Sequence, residues 1–128
     1  MKKYISSQIL LISFISLSFL IPHRSYDNNE KQFTIVNNGK PSATIVISAT
    51  PTPSALLSAL ELQYHILRIT GAELPIKDDN NLISGLKILV GDNRFSAELG
   101  FTGESLETQE YIIAFRPQSI VLIGKDWK

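Results

Sequence analysis

One stretch of eighteen residues, framed by a start signal and a stop signal, constrains the fold more than any other feature. Thr52 offers a hydroxyl that suits a helix N-cap, and Pro53 suits the first helical position. Gly71 suits the left-handed residue that follows a helix. Apolar residues recur between them with helical spacing, so the sequence predicts an amphipathic helix over 53–70. The arc expected to cover a sheet contains Ala55, Ala59, Leu62, Ile66 and Ile69, extended by Leu56, Leu60 and Leu67.

Short runs of β-forming residues lie on both sides of this helix. Residues 43–48 (ATIVIS) precede it and residues 86–90 (LKILV) follow it. A right-handed crossover should make these strands parallel, either as neighbours or with one strand between them. Residues 72–76 (AELPI) predict a short extended piece, because Pro75 disfavours helix at the residue before it. Residues 77–81 (KDDNN) predict a solvated loop.

Two hairpins complete the predicted sheet. Residues 33–37 (FTIVN) and 43–48 flank Asn38 and Gly39, which tolerate the positive φ of a tight turn. Residues 110–115 (EYIIAF) and 119–124 (SIVLIG) flank a second turn. The predicted fold is therefore α+β, a mixed β-sheet in the order ββ-α-β-ββ with one long helix packed on one face.

The predicted sheet is apolar on both faces, whereas one long helix covers only one of them. In the last strand, Val121 and Ile123 point away from the face that Ile120 and Leu122 occupy. A sheet that is apolar on both sides needs a cover on both sides. We therefore expect a second covering helix to be missing from this chain, which would then be truncated. Trp127 would pack against a following domain.

The first 25 residues are typical of a targeting segment. Lys2 and Lys3 precede thirteen uncharged residues, 9–21 (ILLISFISLSFLI). This is the length of a signal-peptide core and falls short of the roughly 20 residues that span a bilayer. The sequence predicts a signal peptide or an uncleaved signal anchor over 1–25, a linker over 26–32 and one domain over 33–128. We expect export to the periplasm, the cell surface or the exterior of a bacterium, with membrane contact only through an uncleaved leader.

Composition excludes several classes of function. Residues 26–128 carry 9 Lys or Arg against 12 Asp or Glu, without the basic excess of a nucleic-acid binder. The chain has no cysteine, which excludes disulfides, thiolate metal ligands and cysteine nucleophiles. A catalytic barrel needs about 250 residues, far more than are present. We expect no nucleic-acid partner and no cofactor.

The polar residues offer no convincing catalytic site. His65 follows Glu61 by one helical turn, an ordinary surface pair, and no second histidine lies outside the leader. Asp78 and Asp79 fall in the predicted solvated loop, where weak calcium binding is the alternative interpretation. Asp92 and Asn93 both suit the N-cap of a short helical turn over 95–99. We predict no catalytic, cofactor-binding or metal-binding residue in this chain.

Two aromatic residues remain as candidates for a domain interface or for stacking on a sugar ring, Tyr111 and Trp127. Tyr111 shares a strand face with Ile113 and Phe115, a pattern that favours core packing for all three.

The predicted helix and the residues after it resemble a known family. The run 55–76 (ALLSALELQYHILRITGAELPI) contains the most specific part, TGAELPI at 70–76. A strand ending at Gly91 and a hairpin ending in IGKD at 123–126 are weaker parts of the same pattern. Together they resemble the non-catalytic N-terminal domain of family 20 β-hexosaminidases and family 67 α-glucuronidases, from Phe33 to Asp126.

The resemblance implies an accessory role. In that family the chain continues into a second helix and a catalytic barrel, and the barrel carries the catalytic acids. The resemblance thus implies a domain without activity of its own, which packs against and stabilises the C-terminal catalytic domain of an exported glycoside hydrolase. The alternative is a stand-alone secreted module that binds a polysaccharide or another partner.

Overall fold

A five-stranded sheet forms the centre of the computed structural model, which describes residues 32–125. The strand order is β4-β3-β5-β7-β6, in which only β6 runs antiparallel to its neighbour. The predicted leader, all but one residue of the predicted linker, and Trp127 lie outside the described residues. The mixed sheet with one long helix confirms the predicted α+β class. The strands are β1 (Val36–Asn37), β2 (Lys40–Pro41), β3 (Ala43–Ile47), β4 (Ile76–Asp78), β5 (Leu86–Val90), β6 (Tyr111–Arg116) and β7 (Ser119–Gly124).

The long helix α1 (Pro53–Thr70) has the predicted boundaries. The Thr52 hydroxyl accepts a hydrogen bond from the Ala55 N–H at 3.2 Å, and Gly71 takes φ +74°. The Gly71 N–H donates to the Leu67 carbonyl at 2.8 Å, which satisfies one of the last free carbonyls of the helix. α1 and then β4 lie between β3 and β5 in the chain, and β3 and β5 are direct parallel neighbours, as predicted.

The first hairpin is shorter than the sequence predicts. Asn38 and Gly39 take φ +48° and +71°, and they reverse the chain so tightly that β1 pairs with β2. The prediction that residues 33–37 pair with residues 43–48 is wrong, because β3 already has β4 on one side and β5 on the other. β4 also begins at the end of the predicted extended piece and continues into the predicted loop.

The second hairpin is confirmed, with a one-residue shift in its first strand. β6 pairs with β7 from Tyr111 opposite Gly124 to Arg116 opposite Ser119. This hairpin adds β6 as the outermost strand, next to β7.

A narrow stripe of α1 packs on one face of the sheet. Ala59 is fully buried and Ala55 is 8% exposed, so the backbone of α1 approaches the strands closely. Leu62 and Ile66 are only half-buried against this core. The wide buried arc predicted for the helix is wrong, because a straight helix contacts a sheet with only part of its circumference. The predicted members that are exposed instead are Leu56, Leu60, Leu67 and Ile69.

The chain itself covers the opposite face of the central strands. Val46, Leu89 and Val121 are fully buried there. Residues 94–106 pass over them through the short helix α2 (Arg94–Glu98) and a 3₁₀ turn (Gly103–Ser105). This segment contributes Phe95, Phe101 and Leu106 to the packing. The expectation that this face needs a second covering helix from outside the chain is therefore wrong, since Phe95 on α2 and two large side chains on the segment after it already cover the face.

Candidate functional site

The most exposed apolar surface of the sheet lies on β6 and includes the candidate Tyr111. Because successive side chains of a strand point to opposite faces, Tyr111, Ile113 and Phe115 share one face. These residues are 72%, 59% and 58% exposed. We call these three residues the β6 face. The intervening Ile112 and Ala114 point the other way and pack against the buried second core. The preference for core packing of the three residues is wrong.

Within residues 32–125, the β6 face is largely exposed because α1 does not reach it. α1 packs mainly on β3 and β5, whereas β6 is two strands away from β5. A groove of about 530 Å³ runs between the helix and the β6 face. Its walls combine helix residues, among them Ser58, Glu61 and Leu62, with apolar strand residues, among them Ile113 and Leu122.

The two ends of the β6 face differ. At one end the Phe115 ring lies 5.5 Å from the Phe33 ring, centroid to centroid, in a tilted arrangement. At the other end Tyr111 lies beside Gly124, which has no side chain to pack against its ring. Tyr111 is therefore the more accessible of the two aromatic rings. Trp127, the other predicted candidate, lies outside the described residues.

A second apolar surface lies on α1 itself. Five of its apolar residues fall within about 100° of arc and form what we call the outer stripe. The neighbouring Gln63 donates from Nε2 to the Leu74 carbonyl at 2.6 Å. The side of the helix that carries Gln63 therefore contacts the segment after α1. The outer stripe consists of Leu56, Leu57, Leu60, Tyr64 and Leu67, with exposures between 36% and 60%.

A polar crevice of about 540 Å³ lies at the carboxyl ends of the parallel strands. In sheets of this type, such a crevice is a common place for ligands. Here two of its charged side chains, those of Asp92 and Lys125, bind the chain's own backbone. Asp92 Oδ1 accepts from the Gly103 N–H at 2.7 Å, and Lys125 Nζ donates to the carbonyls of Gly103 and Glu104 at 3.3 and 3.1 Å.

Asp92 is not the cap of α2. That role belongs to Asn93, whose side-chain oxygen accepts from the Ser96 N–H at 3.0 Å, while the Asn93 N–H donates to the Ser96 hydroxyl at 3.1 Å. Asp92 instead holds the 3₁₀ turn close to the end of β5. The sequence left both residues as possible caps because both residue types suit an N-cap, and the structure selects Asn93.

Asp79 is not in a solvated loop either. It is 8% exposed, and its two carboxylate oxygens accept from the N–H groups of Ala49 and Arg94 at 2.8 and 2.7 Å. Asp78, by contrast, accepts locally from the Asn80 N–H at 3.0 Å. Within residues 32–125, no group of three or more His, Asp or Glu side chains is arranged to bind a metal ion.

His65 is a surface residue, as predicted. Its Nε2 lies 3.5 Å from Glu61 Oε2, and both side chains are more than half exposed. This i,i+4 pair contributes little to stability in water. The structure places it on the polar side of α1, with the exposed Glu61 carboxylate as its partner.

No helix among residues 32–125 combines the length and the hydrophobicity that a bilayer-spanning segment needs. A scan against protein-family models and a search of curated protein sequences give no match to this chain.

Proposed function

We propose that this chain is a non-catalytic N-terminal accessory domain of an exported carbohydrate-degrading glycoside hydrolase. It would pack against and stabilise a catalytic domain outside these 128 residues. The observation that carries the proposal is the β6 face, where Tyr111, Ile113 and Phe115 expose well over half of their surface on a regular strand. Contiguous apolar surface on an ordered element is typical of an interaction site.

The location of this surface changes the argument for a neighbour. The sequence placed the missing cover on the face opposite α1, and residues 94–106 already cover that face. Within residues 32–125, the exposed apolar surface lies beside α1, over β6 and β7. A neighbouring domain would therefore dock beside the helix, with Leu62 and Leu122 on the floor and wall of the groove.

The energetic gain from such docking is substantial for a small domain. Full burial of a large apolar side chain contributes about 1.5–3 kcal/mol. Burial of the exposed half of three such side chains contributes on the order of 2–5 kcal/mol before the cost of association. This is a sizeable fraction of the net stability of a typical domain.

The identity of the neighbour comes from the resemblance. The run TGAELPI follows α1 with Gly71 in the left-handed conformation and Leu74 fully buried, so this run positions the chain for β4. In the similar glycoside hydrolases the corresponding domain precedes a catalytic barrel, which supports a barrel as the docked partner.

The reading frame after codon 128 is the first test. We expect it to continue through a helix and then through alternating strands and helices that carry a pair of carboxylic acids. A stop codon directly after Lys128 in the intact gene contradicts the proposal.

The full-length protein that such a reading frame encodes then tests whether the β6 face is the docking surface. Ile113→Thr should lower the melting temperature of the catalytic domain, because threonine retains the strand preference of isoleucine and loses most of its apolar contact. Leu82→Thr is the matched control, since Leu82 is 98% exposed in a loop. Equal melting temperatures for both variants would show that the β6 face is not the docking surface.

One observation favours a second candidate, a stand-alone carbohydrate-binding module. Tyr111 is 72% exposed on a regular strand, an arrangement that suits stacking of its ring on a sugar. Titration with a panel of soluble oligosaccharides should then give binding that Tyr111→Ala abolishes and Tyr64→Ala on α1 does not. Flat titrations across the panel remove this candidate.

A further inference from the structure

The two edges of the five-stranded sheet differ in how well they are protected. β4 forms one edge with only three residues, follows Pro75 and carries Lys77 at its centre. Short length, proline and lysine are the features by which proteins prevent pairing at an edge. β6 forms the other edge with six residues, and only the last of them, Arg116, is charged.

Hydrogen bonds show which groups of β6 point outward. The Lys125 N–H donates to the Glu110 carbonyl at 3.1 Å, so residue 110 belongs to the set that bonds to the β7 side. In an antiparallel pair this set recurs at every second residue. Ile112 and Ala114 therefore bond to β7, whereas Ile113 and the two aromatic residues direct their N–H and C=O groups to the open edge.

Of these outward groups, the Phe115 carbonyl accepts a hydrogen bond from its neighbour Arg116, from Nη1 at 2.9 Å. No strand among residues 32–125 pairs with the outer side of β6. A row of backbone donors and acceptors on an apolar strand is a template for another strand.

We propose that two copies of this chain pair through β6, antiparallel and centred on Ile113, to form a continuous ten-stranded sheet. This goes beyond the proposed accessory function, since it uses the edge of β6 and leaves the β6 face open.

The centred register satisfies both the backbone and the side chains. It places Ile113 opposite Ile113 of the second copy, with Tyr111 opposite Phe115, so the residues with outward backbone groups meet each other. Directly opposite residues of an antiparallel pair share a face, so the two β6 faces become one apolar strip. In a two-fold interface each contact occurs twice.

The charges at the ends of β6 fit the same register. Glu110 lies just before the strand and Arg116 is its last residue. Glu110 Oε2 accepts from the Glu107 N–H at 2.8 Å, which holds the carboxylate at the start of the strand. In the centred pairing Glu110 of each copy lies opposite Arg116 of the other, so the two opposite charges meet twice. A shift of two residues in either direction separates these pairs and leaves outward groups of β6 unpaired.

Cysteine cross-linking in the full 128-residue chain tests this register directly, since the native sequence contains no cysteine. Hydrogen-bonded antiparallel partners have Cα atoms about 5.5 Å apart, within the range that a disulfide bridges. Ile113→Cys should therefore form a disulfide-linked dimer under mild oxidation, visible on a non-reducing gel.

Two matched variants control for random collision. Tyr111→Cys lies on the same face of the same strand. Its Cα would be about 14 Å from the Cα of position 111 in the second copy in the centred register, so it should not cross-link. The double variant Tyr111→Cys/Phe115→Cys should cross-link, because it places the two introduced thiols opposite each other. Leu57→Cys on the outer stripe of α1 should give no disulfide-linked dimer, because position 57 lies away from the paired strands.

Charge reversal gives an independent measurement on the chain without cysteines. Glu110→Lys should weaken the dimer about tenfold in sedimentation equilibrium, because two attractive pairs become repulsive. Adding Arg116→Glu should restore the affinity.

Equal cross-linking at positions 57, 111 and 113, or a wild-type chain that stays monomeric at millimolar concentration, overturns the proposal. A continuing reading frame would not rescue it, so its failure is distinct from failure of the accessory function.

Discussion

The carboxylate of Asp79 is buried at the start of α2, where its Oδ2 accepts a hydrogen bond from the Arg94 N–H at 2.7 Å. Arg94 returns the contact, since its Nε and Nη2 donate to the Asp79 carbonyl at 3.1 and 2.8 Å. The other oxygen of Asp79 accepts from the Ala49 N–H at 2.8 Å. One side chain thus joins the end of β3, the turn after β4 and the beginning of α2.

Asp79→Asn should lower the free energy of unfolding by about 1–3 kcal/mol, because an amide replaces one of two acceptor oxygens and turns a donor towards a donor. Urea denaturation measures the change. The matched control is Asp78→Asn, which keeps the single oxygen that Asn80 uses and should change stability by less than about 0.5 kcal/mol. Equal effects at the two positions would contradict the role of Asp79.

Gly91→Ala should be among the most destabilising single-methyl additions in this domain. Gly91 has φ +68°, and a Cβ there would lie 2.8 Å from the Ala55 Cβ of α1. Gly85→Ala separates the two causes, since Gly85 has φ +76° and open space around it. The control should lose about 1–2 kcal/mol from the backbone alone. Gly91→Ala should lose clearly more in thermal or urea denaturation, and equal losses would mean that α1 can move away freely.

Ala59→Leu should destabilise the fold by about 1–3 kcal/mol, because Ala59 is fully buried where α1 meets the sheet and has no room for a larger side chain. Ala97→Leu makes the same substitution at an exposed position of α2 and should be nearly neutral. Differential scanning calorimetry distinguishes them. A neutral Ala59→Leu would show that the helix does not pack closely on the strands.

Phe101→Ala should lower the free energy of unfolding by about 2–4 kcal/mol, since Phe101 helps to cover Val121 and its neighbours on the second face. The variant should also bind a hydrophobic dye, because it uncovers part of that core. Phe115→Ala makes the same change on the β6 face, where the ring is 58% exposed, and should cost much less. If both variants lost the same stability, residues 94–106 would not be a significant cover.

Local signals account for the parts of the fold that the sequence predicts well. The boundaries of α1 follow from Thr52, Pro53 and Gly71, whose conformational preferences act within one helical turn. The β6–β7 hairpin follows from two β-forming runs close together in the chain, and the parallel β3–β5 pair follows from a helix between two strands. The surface position of His65 follows from the polar side of the helix.

Tertiary structure decided the parts that depend on contacts between distant residues. Asp79 looks like any loop aspartate until Ala49 and Arg94, 30 and 15 residues away, bring their N–H groups to it. Phe95, Phe101 and Leu106 show no regular period, so only the packed chain reveals that they cover the second face. Helical spacing identified the apolar arc of α1. Packing against the sheet buries Ala55 and Ala59 from this arc and leaves Leu60 exposed.

The same distinction applies to the candidate surface. The sequence determined that Tyr111, Ile113 and Phe115 share one face of a strand, because side chains alternate along any strand. It could not determine that this strand lies at the edge of the sheet and beyond the reach of α1. That outcome depends on strand order, which is set by the combined free energy of all the pairings rather than by the residues of β6 alone.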